Sequence, residues 1–123
     1  MSKNFYITTT LPYVNSDPHV GFAMEIIRAD AIARYQKLLG REVFFNTGTD
    51  EHGTKVWERA KKAGVETQEY IDGYAEKFKG LIPALGISED VHFTRTTDEE
   101  HKKIAQEFWM KCEENGDIYK KEY

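Results

Sequence analysis

Apolar side chains recur every three or four residues at Val20, Ala23, Met24, Ile27, Ala31, Ile32, Tyr35, Leu38 and Leu39. That spacing predicts one long amphipathic helix with these positions on a wide buried face. Glu25, Arg28, Gln36 and Lys37 supply polar positions, and Gly40 supplies the stop. Two apolar runs flank the helix: Phe5-Tyr6-Ile7-Thr8-Thr9 before it and Val43-Phe44-Phe45 after it. The second run, apolar at successive positions, suits a strand covered on both faces, as in a parallel sheet. Strand, helix and strand form a βαβ unit, expected to be right-handed. Both strands then end on one edge of the sheet, near Thr9 and Thr47, where ligands of such sheets bind.

The pattern continues with a helix over about 54–63, closed by Gly64, and another over about 68–81 with Thr67 as N-cap. Tyr70, Ile71, Tyr74, Phe78 and Leu81 form the second helix's inner face, before Pro83 and Gly86 break it. Val91-His92-Phe93 reads as a short strand. A last helix opens on Thr97 and Glu100, spaced as a capping box, and runs through Ile104, Ala105, Phe108, Trp109 and Cys112 to Asn115-Gly116. Ile118-Tyr119 is placed to start a further strand. No repeat, low-complexity tract or flexible linker divides the chain, whose 123 residues suit one α/β domain.

Charge changes this picture little. Lys plus Arg is 17 and Asp plus Glu is 21, a net charge of −4, which argues against this segment alone gripping nucleic acid electrostatically. The single cysteine, Cys112, excludes an intrachain disulfide and a Cys-rich zinc site; its apolar neighbours suggest a helical core or edge position. The start lacks signal-peptide character, and no apolar run nears the roughly 20 residues that span a bilayer. A cytoplasmic protein with no membrane partner is expected.

The chemistry concentrates in Pro12-Tyr13-Val14-Asn15-Ser16-Asp17-Pro18-His19-Val20-Gly21-Phe22. Asp17 stands where an N-cap belongs, and Pro18 at the first helical position, where its missing N–H costs nothing. His19 and Gly21 then fall in the first turn, where free N–H groups and the helix dipole favour an anion. Strand, loop, helix start, His and Gly together predict a nucleotide-phosphate site, although a lone His here also reads as a cap. Asp50, beyond the second strand, is placed to pair with an ammonium group or to form an Asx-turn. Glu51 and His52 adjoin it, but three consecutive residues seldom converge on one ion. No metal is expected, and His52 is read as a structural hydrogen-bonding group.

The His19 segment resembles the His-Ile-Gly-His signature of class I aminoacyl-tRNA synthetases. Thr8-Thr9-Thr10-Leu11-Pro12-Tyr13 and Thr47-Gly48-Thr49-Asp50-Glu51-His52-Gly53 narrow the resemblance to the bacterial methionyl-tRNA synthetase family. It runs from about Phe5 to Tyr123, including Phe93-Thr94-Arg95-Thr96-Thr97 and Gly116-Asp117-Ile118-Tyr119. The resemblance implies the first half of a Rossmann-like catalytic domain. Family members are several times longer, so residues 1–123 are expected to be its N-terminal portion. A zinc-carrying connective insert, the second catalytic half with its Lys-Met-Ser-Lys-Ser loop, and the anticodon-binding helices would lie outside them. A half-domain would expose a sheet edge and an apolar face, giving marginal stability or association.

By the same resemblance, a methionine carboxylate attacks the α-phosphorus of ATP, releasing pyrophosphate, and a tRNA hydroxyl then takes the aminoacyl group. The implied roles are catalytic for His19 and Gly21. ATP, with Mg2+, would meet His19, Gly21, Phe22 and Glu25; methionine would meet Thr10, Leu11, Tyr13 and Asp50. tRNA would be held mainly by regions outside this chain, where any zinc would also lie. Phe22 departs from the family, which usually carries a second histidine there. Its ring is expected to pack on adenine or on the helix floor. Two other readings stay open: another His-x-Gly synthetase or nucleotidyltransferase, and a truncated, non-catalytic paralogue that binds a nucleotide or a protein.

Overall fold

The computed structural model describes residues 3–122. Strand β1 (Asn4–Thr8) lies parallel to β2 (Glu42–Thr49), with Ile7 opposite Phe45, and β3 (His92–Arg95) runs parallel along the other side of β2. Helix α1 (Val20–Leu38) makes the crossover from β1 to β2, as a parallel pair requires. After β2 come α2 (Thr54–Ala63), α3 (Thr67–Lys79) and the single turn α4 (Leu81–Ala84); α5 (Glu99–Glu114) follows β3.

Alternation along the strands decides what is buried. Ile7, Val43 and Phe45 face α1, where Ile26, Ala29 and Ala33 meet them, and Ile82, Leu85, Ile87 and Val91 close the cluster. A second cluster, Val14, Val56 and Ile71 with Tyr70 and Tyr74, holds the loop after β1 against α2 and α3. Asp30 ties α1 to the segment before β3. Its carboxylate accepts from the Ser88 backbone N–H at 3.0 Å, the Ser88 hydroxyl at 2.5 Å and Arg34 Nε at 2.6 Å.

The expected inner face of α1 is the outer one. Val20 is 85% exposed and Leu38 84%; Met24, Ile27, Ile32, Tyr35 and Leu39 are also exposed. At about 100° per residue, the buried set Phe22, Ile26, Ala29 and Ala33 lies on the opposite side of the helix. The helix carries two apolar stripes, the pattern of one surrounded on all sides, and periodicity alone does not say which stripe this chain covers. The β2 run is likewise covered on one face only. Phe44 is half exposed, stacked on Tyr6 at 5.6 Å with His92 beside it.

Helix ends differ more finely. His19, not Asp17, is the N-cap of α1, so Pro18 precedes the helix; Asp17 instead pairs with Lys77 at 2.6 Å. Glu66 rather than Thr67 stands at the N-cap position of α3, and Asp98 rather than Thr97 at that of α5, neither with a side-chain capping hydrogen bond. The Thr97 hydroxyl is spent on Glu51, which prevents the capping box. Ile118 and Tyr119 form no strand. Gly40 and Gly64 end their helices as expected, both at positive φ.

Candidate nucleotide and amino-acid site

The carboxyl ends of β1 and β2 are locked together. Thr9 N donates to Asn46 O at 3.1 Å, and the Thr9 and Thr47 hydroxyls meet at 2.7 Å. Beyond them the two chains stay side by side. Asp50 N donates to Pro12 O at 2.9 Å and Val14 N to Asp50 O at 3.3 Å, a parallel bridge pairing Tyr13 with Asp50. The His19 loop therefore begins on the backbone neighbour of the acid. Tyr13 and Asn15 line two adjoining hollows. One, about 180 Å³, is bounded by Pro12, Ser16, Asp17, His19, Phe22 and Phe78. The other, about 340 Å³, is bounded by His52, Gly53, Thr54, Lys55 and Val56.

His19 is exposed at the helix start, and its Nδ1 accepts from Gly21 N at 3.1 Å. An accepting Nδ1 carries no proton, so the neutral ring holds its proton on Nε2 and presents a donor outward. Gly21 serves that arrangement: a Cβ on it would come within 2.9 Å of the His19 ring. Phe22 is buried and meets Phe78 of α3 edge-on, centroids 5.4 Å apart. Its ring rests on α3 and also borders the smaller hollow.

Glu25 and Thr10 find each other. Thr10 N donates to Oε1 at 2.7 Å and the Thr10 hydroxyl to Oε2 at 2.8 Å, so both Glu25 oxygens hold the loop that carries Leu11 and Tyr13. Leu11 is half-buried and Tyr13 mostly exposed. Asp50 is only loosely engaged: His52 N and the Thr96 hydroxyl each lie 3.5 Å from Oδ1. The Asx-type contact is present, but it is long for a hydrogen bond and leaves the carboxylate able to accept another donor.

Glu51 is the residue whose weight the sequence did not signal. It is 1% exposed, and its carboxylate accepts from Thr49 Oγ1 at 2.6 Å, Arg95 Nε at 2.7 Å and the Thr97 hydroxyl. Arg95 also reaches Asp72 of α3 at 2.6 Å. Hydrogen bonding to Glu51 raises the Arg95 pKa, and hydrogen bonding to Arg95 lowers that of Asp72. His52 Nε2 meets Thr96 O at 3.0 Å, the structural role expected for it. A carboxylate so fully engaged is unsuited to a metal, and among the described residues no group of three His, Cys, Asp or Glu gathers. Gly48 lets β3 approach, since a Cβ there would lie 1.8 Å from Thr94 O.

A parallel sheet with a glycine-spaced histidine at the start of its crossover helix defines the catalytic α/β fold of class I synthetases. The sequence model of the family described as tRNA synthetases class I (M) matches residues 5–123, and the chain belongs to that family. The methionine–tRNA ligase of Thermotoga maritima is 57% identical over 116 residues, covering 94% of this chain and 18% of its own length. Mycobacterium tuberculosis methionyl-tRNA synthetase in complex with methionyl-adenylate is similar in structure, with a TM-score of 0.91 and 44% identity, over 97% of this chain and 23% of that one. The LeuRS of an Agrobacterium radiobacter K84 ternary complex shares the fold at TM-score 0.84 and 23% identity. The chain thus spans about a fifth of the length of the relatives it matches. Among the described residues no helix is long and apolar enough to cross a membrane.

Proposed function

We propose that these residues form the N-terminal portion of the catalytic domain of a methionine–tRNA ligase and supply one wall of its methionine-activating site. The observation that carries this reading is the Tyr13–Asp50 bridge, which sets the His19 loop beside the acid after β2. Asp50 accepts from the methionine ammonium, and Tyr13 and Leu11 flank the side chain. A thioether against an aromatic ring gains about 0.3–1.5 kcal/mol. His19 donates from Nε2 to an ATP phosphate while its Nδ1 keeps the helix capped. Charge that develops on the phosphate is met by that donor and by the positive end of the α1 dipole.

Gly21 keeps the His19 ring in place, and Glu25 holds the Thr10–Tyr13 loop at the pocket's edge. Phe22, buried on Phe78, leaves phosphate recruitment to His19, backbone N–H groups and the lysine loop outside these residues. Magnesium enters on the nucleotide's phosphates, as part of the substrate. The segment's net negative charge leaves tRNA to be gripped elsewhere in the polypeptide, in the cytoplasm. The test is ATP–pyrophosphate exchange by the polypeptide carrying this chain, scanned across all twenty amino acids. Methionine should drive exchange; exchange driven by another amino acid, or by none, refutes the reading.

A further inference from the structure

Thr47, Thr49 and Glu51 alternate along one line of backbone, and all three are buried. Asp50 lies between the last two and, by the two-residue period of extended chain, is turned the other way. Whatever holds Glu51 inward therefore aims Asp50 outward. The Glu51 carboxylate is held by Thr49, Thr97 and, at 2.7 Å, by Arg95. Its backbone N–H donates to the Thr96 hydroxyl at 2.8 Å, and that hydroxyl lies 3.5 Å from Asp50 Oδ1. Arg95 is itself fixed from two further sides: its N–H donates to Asp98 at 3.0 Å and its guanidinium to Asp72 at 2.6 Å.

A buried carboxylate is tolerated only when paired, and an apolar pair of like size often serves stability as well. Stability alone thus gives no reason for an ion pair at this point; direction does. We propose that Arg95 is a positioning residue for amino-acid binding: through Glu51 it fixes the orientation of the Asp50 carboxylate towards the substrate ammonium. This rests on the assignment of Asp50 to the ammonium group. It concerns any α-amino acid, not methionine alone.

The test uses the full polypeptide and separates the ammonium from the rest of the ligand. Arg95→Met should raise the KM for methionine about tenfold or more, the scale of a misaligned hydrogen bond to a charged group. The KM for ATP should stay within about twofold, and Arg95→Lys should recover part of the loss. Inhibition by L-methioninol, which keeps the ammonium, should weaken in step with methionine. Inhibition by 4-(methylthio)butanoate, which lacks it, should be unchanged. Should Arg95→Met fail to fold, the double variant Glu51→Gln/Arg95→Met removes the buried charge and should show the same split between ligands. Equal losses for all ligands and ATP, no loss for any, or failure of both variants to fold overturns the proposal. If the unmodified protein exchanges with a different amino acid, the methionine reading falls, and the same split is then measured with that amino acid and its desamino analogue. Exchange with none overturns both.

Discussion

At the carboxyl ends of the strands, Thr9, Thr47, Thr49, Glu51 and Thr96 are all buried, and each has a hydrogen-bond partner. Along α5, Ile104, Phe108, Trp109 and Met110 are 52–68% exposed, and no residue of the helix is buried. A buried polar group costs free energy unless it is satisfied, so the first region has one arrangement in which every cost is met. Apolar groups in the open carry no such demand. The strand ends are specified by this chain's own contacts. The directions of α5 and of the outer stripe of α1 are not.

The sharpest way to break the contrast is at Gly48. Its φ of 155° and the 1.8 Å approach of Thr94 O leave no room for a side chain. Gly48→Ala should cost on the order of 4 kcal/mol or more, since backbone cannot yield as a flexible side chain would. In a chain with so much uncovered apolar surface, that should abolish the cooperative transition in a thermal melt. A melt within a few degrees of the parent would show that the β2–β3 approach is not as tight as its geometry.

His19 comes next, because two functions meet in one ring. His19→Ala removes both the outward donor and the cap. Its kcat/KM for ATP in the exchange reaction should fall by about 10²–10³, and stability by about 1 kcal/mol. His19→Asn retains an acceptor for Gly21 N, so it should recover the stability but not the rate. Recovery of both by Asn, whose amide also carries N–H donors, would mean that the rate needs a donor at this place but not an imidazole.

Much of this could be read from the residues, and the misses share a cause. The βαβ unit, the bounds of α2 and the closeness of the His19 loop to Asp50 followed from periodicity and topology. The inner stripe of α1 did not, because each of its two stripes repeats at a helical period. The caps at His19 and Asp98 escaped because local spacing cannot show that Lys77 claims Asp17, or that Glu51 claims Thr97. Arg95 and Glu51 stand in segments that carry the family resemblance, but nothing in the sequence shows that they pair with each other or with Asp72. They are 44 and 23 residues from one another along the chain and meet only through the sheet and α3.

A smaller effect tests whether polar anchoring extends beyond the strand ends. Burial pushes the Asp30 carboxyl up, yet hydrogen bonds from Ser88 and Arg34 outweigh it and hold its pKa below 3.8. A folded-state value below the unfolded one means the contribution is fully present above about 3.8 and is lost as pH falls through the folded value. Ser88→Ala should cost about 1 kcal/mol at neutral pH and bring the acid loss to a higher pH, with the two proteins converging in acid. Urea unfolding followed across the acid range measures this; a constant gap at every pH would mean that Ser88 acts through something other than the ionised Asp30.

The least effect of all is expected on α5, and it bears most directly on the contrast. Phe108→Lys with Trp109→Lys replaces two large apolar groups, a change that in a packed core costs several kcal/mol. Here both are already in the open, 68% and 60% exposed, so the stability of the 123-residue chain should move by less than about 0.5 kcal/mol. What should change is association, because the uncovered face is the attractive surface. The parent chain should sediment as a concentration-dependent mixture, and the substituted one should shift towards monomer. A drop in stability comparable to a core substitution would mean that α5 packs on this chain in solution. Its direction would then be as much the chain's own property as that of the strand ends.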